Sequence, residues 1–314
     1  MDKESKHPVA AATIEPQRAA RLMRLATYAS VAVASVLVAT KFFAWVMTDS
    51  LSLLSTLIDS LLDVAASVLN LIAVHHALQP ADDEHRYGHG KAEALAGLGQ
   101  AAFISGSAAF LLIEAGQRIF DPKTIDNSEI GISVMVVAIV FTVILVVFQR
   151  YVVRKTGSLA ISADSLHYQT DVLVNASVIV SLLFVTRLGW TLADPLFAIA
   201  IAGYILYGAW KIASGALNVL MDHELPNEDR QRIRAIAMSH PEVRDLHDLR
   251  TRSSGAQVFI QLDLEMGGDI KLRDAHAVAV QVMTRLVDAY PNAEVFVHQD
   301  PAGEEREHGL QSLG

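Results

Sequence analysis

Six long apolar blocks constrain this chain more than any other feature. They run over roughly 25–47, 51–74, 93–119, 130–148, 159–186 and 192–220. A hydrocarbon core ~30 Å thick is crossed by a helix of about 20 residues, so each block is close to the length of one crossing. In lipid the backbone must satisfy its own hydrogen bonds, which makes each block a helix. The chain has 314 residues, 52% of them hydrophobic, above the share that a soluble enzyme usually carries. The expected fold class is therefore an α-helical membrane protein. Its six-helix transmembrane domain occupies 18–222, after a disordered N-terminal tail over 1–17 that carries no signal-peptide core.

The basic residues fix an orientation in the lipid bilayer. Arg18, Arg21 and Arg24 precede the first block, Arg86 and Lys91 follow the second, and Arg150, Arg154 and Lys155 follow the fourth. The positive-inside rule puts these segments in the cytoplasm, and an even number of spans then puts both termini there. An acid-leaning loop over 121–129 lies on the opposite side. The connection between the fourth and fifth spans is short, about ten residues, and has no histidine.

After Pro226 the pattern becomes that of a small soluble α+β domain, expected over 223–303 and followed by a disordered tail over 304–314. Asn227 is placed to cap a helix reaching to about Ser239. Strand-like segments near 246–252, 258–264 and 294–300 and an amphipathic helix over 272–289 complete an αββαβ order, with both helices on one face of the sheet. From His223 onward 10 Lys/Arg stand against 16 Asp/Glu, a balance that repels phosphate backbones and excludes nucleic acid as a partner. The chain has no cysteine, which removes disulfides, thiolate zinc sites and Cys nucleophiles.

Several ionisable residues sit where lipid should be. Asp59 and Asp63 lie inside the second block, in LSLLSTLIDSLLDVAASVLNLIAV. An aspartate near a span centre costs about 2.5–3.5 kcal/mol on insertion scales, so two on one helix point to function. Their spacing of four places both on one helix face. His167 and Asp171 repeat that spacing in the fifth block, in SLHYQTDVLVNA. Two helices that each offer a pair can supply the four ligands that zinc takes tetrahedrally. Glu114, in the third block, lies near the outer end and reads as structural.

Two further groups carry metal-ligand chemistry. In PADDEHRYGHGKAEA, Asp82, His85 and His89 offer one carboxylate and two imidazoles, with Asp83 a competing oxygen ligand. In the soluble domain, His247, Asp263, His276, His298 and Asp300 form the third group. His298 and Asp300 point to one face of a strand, and His276 comes from a helix able to cover that face. His223, His240 and His308 read as surface histidines without a role.

The two intramembrane pairs, the stretch HRYGHGKAEALA and the later LHDLRTR and HQDP segments together resemble the cation diffusion facilitator family, in its bacterial YiiP-type branch of zinc and iron efflux transporters. The resemblance covers nearly the whole chain after the N-terminal tail. It implies six transmembrane helices and a metallochaperone-like cytoplasmic domain, assembled as a homodimer in the bacterial inner membrane. It implies a proton-coupled antiporter that exports Zn²⁺, with Fe²⁺ and Cd²⁺ as further substrates, and no enzyme activity. It assigns Asp59, Asp63, His167 and Asp171 to the transport site and Asp82, His85 and His89 to the loop site. His247, His276, His298 and Asp300 go to a binuclear cytoplasmic site, and Lys91 and Asp222 to a salt bridge of the dimer. Asp263 departs from the pattern, because relatives usually carry histidine there. Two readings compete with export. A membrane di-metal enzyme needs Glu-x-x-His motifs that no span contains. A metal-sensing membrane protein without transport would use the soluble-domain site alone.

Overall fold

In the computed structural model the six apolar blocks form helices α1 (Pro16–Thr48), α2 (Leu51–Ala77), α3 (Lys91–Phe120), α4 (Glu129–Thr156), α5 (Leu159–Leu188) and α6 (Ala193–Leu220). The structure describes residues 15–49, 51–120, 129–188, 190 and 192–303. The N-terminal tail lies outside these as far as residue 14, and Pro16 and Gln17 already belong to α1, with proline at the first position where its missing N–H costs nothing. The acid-leaning loop over 121–128 and the tail over 304–314 also lie outside the described residues.

Among the described residues five helices are long and apolar enough to cross a membrane, and α5 is the exception. It is 30 residues long, so length is not its defect. Its first half carries Asp164, His167, Gln169 and Asp171. Asp164, Ser165, His167 and Tyr168 are buried there, so the polar side chains of α5 face protein in place of lipid. Helices α3 and α4 both pack on it.

The helix interfaces are made of small residues. Ala101, Ile104 and Ala108 of α3, Ala163 and Leu166 of α5, and Ala202, Ile205, Ala209 and Ile212 of α6 form one core. Ala202, Ala209 and Ala216 recur every seventh residue and are all buried, which keeps one smooth stripe of α6 against its neighbours. At Gly208 a Cβ would stand 2.8 Å from Leu166 Cδ2, so the absence of a side chain there lets α6 approach α5 one residue before His167. Phe43, Phe110, Ile144, Val147, Tyr207 and Trp210 are exposed on the outside of the bundle, the arrangement that lipid requires.

The expected ten-residue link between the fourth and fifth spans is a tighter reversal. Helix α4 continues through Arg150, Arg154 and Lys155, because its backbone bonds persist beyond the apolar run. Only Gly157 and Ser158 join it to α5. Gly157 has φ +68 and its N–H donates to Val153 O at 2.8 Å, a left-handed helix stop that suits glycine. Ser158 Oγ accepts from the Ile161 N–H at 3.2 Å and caps the start of α5.

From Asn218 onward the chain forms a second unit. It contains α7 (Asn227–Met238), β1 (Asp245–Ser254), β2 (Gln257–Met266), α8 (Leu272–Ala289) and β3 (Ala293–Pro301), the expected αββαβ order. Pro226, not Asn227, occupies the cap position of α7, and no side chain caps it. The sheet order is β1-β2-β3, with β1 antiparallel and β3 parallel to β2. Gly255, at φ +60, turns β1 into β2. Ile233 and Ala237 of α7, Ile260, Leu262, Leu264 and Met266 of β2, and Val278, Val282 and Leu286 of α8 make one core, so both helices lie on the same face. Strand side chains alternate, so Asp263 and Glu265 project to the opposite face.

Candidate metal centres

In the transmembrane unit Asp63, His167 and Asp171 each bring a ligand atom within 4.8 Å of the others. His167 Nε2 stands 3.0 Å from Asp63 Oδ1 and 3.9 Å from Asp171 Oδ2. Ligands at about 2.0–2.2 Å from a tetrahedral ion are about 3.3–3.6 Å apart, so these separations fit one ion between the groups. Asp59 is not brought into the cluster. It sits one turn earlier on α2 and is exposed.

The loop between α2 and α3 gathers a second group, Asp82, His85 and His89. Asp82 Oδ2 is 3.2 Å from His89 Nε2, and Asp82 Oδ1 is 3.4 Å from His85 Nδ1. The main-chain N–H groups of His85 (2.6 Å) and Glu84 (3.0 Å) both donate to Asp82 Oδ1. These bonds, His85 first, hold the Asp82 carboxyl below the usual carboxylate range. Asp83 instead points into solvent, 3.6 Å from Arg86, which separates the two aspartates that sequence alone left open.

In the C-terminal unit the cluster is His247, Asp263 and Asp300. Register explains it: His247 of β1 pairs with Asp263 of β2, which pairs with His298 of β3, while Asp300 lies one step along on the same face. The Asp300 carboxylate divides its oxygens, Oδ2 standing 3.2 Å from His247 Nε2 and Oδ1 3.1 Å from His298 Nε2. A carboxylate with one oxygen toward each imidazole would offer a separate oxygen to each of two ions. His276 is exposed on α8 and stands outside the cluster. The expectation that its helix covers the ligand face does not hold, because Val278, Val282 and Leu286 draw α8 onto the opposite, apolar face.

The family model for the cation efflux transmembrane domain matches residues 27–221, and that for the cation efflux protein cytoplasmic domain matches 225–302. The chain belongs to the cation-efflux family. The resemblance to the cation diffusion facilitators that the motifs carried is thereby confirmed. Over 288 residues this cation-efflux protein is 49% identical to the cation-efflux pump FieF of Serratia proteamaculans (strain 568), covering 92% of this chain and 95% of that one. Against FieF of Salmonella choleraesuis (strain SC-B67) it is 48% identical over 281 residues, 90% of this chain and 93% of that one. A solved structure titled as the zinc form of the putative zinc transporter CzrB matches 27% of this chain and 98% of that chain at 31% identity, with a TM-score of 0.26.

Sequence reading passed over several polar residues of this cation-efflux protein. Asp164, one turn before His167, accepts from Ser30 (2.5 Å), Gln149 (2.7 Å) and Gln100 (3.2 Å) and so ties α1, α4 and α3 to α5. Tyr168 and Ser67 share a hydrogen bond of 2.8 Å beside it. Lys41, inside α1, donates to Ser60 Oγ at 2.6 Å and to the Thr56 carbonyl at 3.2 Å, next to Asp59 on α2. Both Asp164 and Lys41 are charged residues within apolar blocks, the same signal that marked Asp63. Glu265, buried on β2, lies 3.4 Å from His247 Nδ1, where a carboxylate can orient a ligand imidazole. Glu114 fits its structural reading, as Arg118 holds both it and Asp194 of α6 at 2.7 Å. His240 is no surface residue: it is buried, with Nε2 3.1 Å from Gln281 Oε1. His308 lies outside the described residues.

Proposed function

We propose that this chain is a proton-coupled antiporter that exports divalent cations from the cytoplasm, with Zn²⁺ the principal substrate and Fe²⁺ and Cd²⁺ further ones. The observation that carries the proposal is the meeting of Asp63 on α2 with His167 and Asp171 on α5 within 4.8 Å. Imidazole and carboxylate suit zinc and its neighbours, and such ligands bind only when deprotonated. Protons that enter from the outer side therefore compete the ion off, and the same groups carry both cargoes. Asp59 lies on the same helix face as Asp63, one turn away, and completes a four-ligand site when α2 shifts during alternating access.

The remaining sites are read in the same frame. Asp82, His85 and His89 bind an ion in the loop. The cytoplasmic site uses His247, Asp263, Asp300 and His298, while the role of His276 rests on family resemblance alone. The cytoplasmic family domain supports a homodimer. Lys91 and Asp222 are assigned to its salt bridge by resemblance, and Asp222 also accepts from Arg252 at 3.2 Å. The membrane is the bacterial inner membrane, with both termini in the cytoplasm.

The deciding experiment reconstitutes the full chain into vesicles and follows Zn²⁺ flux while the pH gradient is varied. Antiport requires uphill zinc movement driven by an opposing proton gradient. Zinc flux that ignores the gradient removes the coupling, and absence of flux with retained zinc binding leaves a metal sensor.

A further inference from the structure

The loop cluster offers three donors, whereas a closed zinc site takes four ligands. A fourth imidazole stands beside it. The His76 ring, in the last turn of α2, lies 4.5 Å from the His89 ring, centroid to centroid, while the His85 ring lies 4.6 Å from His89 on the loop side. The His89 side chain is only 3% exposed, and its Nδ1 is buried with no hydrogen-bond partner among the described residues. A buried imidazole nitrogen left unpaired is costly unless a ligand or a proton acceptor completes it.

Both rings are placed by helix ends. His76 stands where α2 ends, its carbonyl accepting the Gln79 N–H at 3.0 Å. His89 stands where α3 begins, its carbonyl accepting the Ala92 N–H at 2.9 Å. The two rings thus sit at two helix ends that meet, and the loop between them returns Asp82 and His85 to the same place. His76 itself is exposed, so its ring is free to turn toward an arriving ion. Its neighbour His75 is rotated by about 100° around the helix and faces elsewhere.

We propose that His76 is the fourth ligand of the loop site, so that one divalent ion of the zinc and cobalt class is held by His76, Asp82, His85 and His89 and ties the end of α2 to the start of α3. The inference rests on the loop-site reading above. Three imidazoles and one carboxylate make a borderline donor set, which favours Zn²⁺ and Co²⁺ over Mg²⁺ or Ca²⁺. The ion then links the helix that carries Asp63 to the loop, a link that the three-donor set lacks.

The test uses Co²⁺ as a spectroscopic probe in the full chain carrying Asp171→Ala and Asp300→Ala, which weaken the other two sites. In that background one Co²⁺ should bind with the intense visible absorption of four-coordinate geometry. His76→Phe keeps a ring against His89 but has no donor; it should weaken Co²⁺ binding about tenfold or more and lower the visible band. His75→Phe should leave both unchanged. If His76→Phe binds Co²⁺ with the background affinity and spectrum, the fourth-ligand assignment is overturned and a three-ligand loop site stands. If His89→Ala also changes nothing, the loop site itself is absent.

Discussion

His167 Nε2 on α5 lies 3.0 Å from Asp63 Oδ1 on α2, joining groups 104 residues apart in sequence. The two side chains are only 10% and 21% exposed, so the pair is favourable with its charges matched or with an ion between them. On the proposed reading Asp63→Ala and Asp171→Ala each remove a ligand. Transport in vesicles should fall about tenfold or more for either variant, with the chain still folded. Near-normal zinc flux in both would take the transport site away from these residues.

On the proposed reading His167 should also set metal choice. It is the sole nitrogen donor in its cluster, so His167→Asp makes the ligand set all oxygen. Such a set weakens zinc relative to harder ions such as Mn²⁺. Competition transport assays should show the ratio of Mn²⁺ to Zn²⁺ flux rising, and an unchanged ratio would mean that His167 does not touch the ion.

Asp164 should matter for stability before it matters for transport. Replacement by alanine leaves Ser30, Gln100 and Gln149 without their shared acceptor, at a cost of about 1–3 kcal/mol for each group left buried and unpaired. Asparagine keeps one acceptor oxygen and should cost less. Thermal unfolding in detergent should therefore rank wild type above Asp164→Asn above Asp164→Ala; equal midpoints would show that the network adds nothing.

The fold was legible in sequence because its signals are long. Apolar blocks and the period-two strands of the soluble domain each extend over many residues, and the αββαβ order followed from them. The α4–α5 link was not, because hydropathy ends at Phe148 while backbone bonding continues to Thr156. Spacing of four identified Asp63, His167 and Asp171, since one helix face is a local property. Distances between helices are not local. Sequence could not tell that Asp59 stays outside the cluster, that Asp82 and not Asp83 faces His89, or that α8 lies away from Asp300. His240 was misplaced for the same reason: nothing near it in the chain announces Gln281 across the domain.

Tyr290 gives the soluble unit a dependence on alkaline pH. Its hydroxyl donates to Asp229 Oδ1 at 3.1 Å, and burial together with that carboxylate pushes its pKa up to about 12. The folded state thus holds the proton more tightly than the unfolded state, whose tyrosine titrates near ~10. The stabilisation is complete below ~10 and declines as pH rises through about 12, because the unfolded chain releases its proton first. Urea unfolding of the wild-type unit from pH 8 to 11 should lose stability in the upper part of that range, and Tyr290→Phe should flatten the decline. A decline of the same size in the variant would trace it to other groups.

If the cytoplasmic cluster binds metal as proposed, Asp263 should set how strongly it holds one of its ions. It is buried, pairs in register with His247 on one side and His298 on the other, and places an oxygen within 4.8 Å of the His247 and Asp300 ligand atoms. A carboxylate buried beside Asp300 without a cation sets two negative charges together, so bound metal should stabilise the folded unit directly. The unit from Asn218 has its own hydrophobic core and can be studied apart from the membrane. Calorimetric titration with Zn²⁺ should show Asp263→Ala losing one ion, and Asp263→His keeping the count while binding zinc more tightly, because imidazole is the softer donor. Sedimentation of the same samples should show zinc raising the dimer fraction of the wild type more than that of Asp263→Ala. Equal stoichiometry and affinity in all three chains would remove Asp263 from the site, and no zinc binding by the wild-type unit would leave the cluster a hydrogen-bonded patch of the sheet.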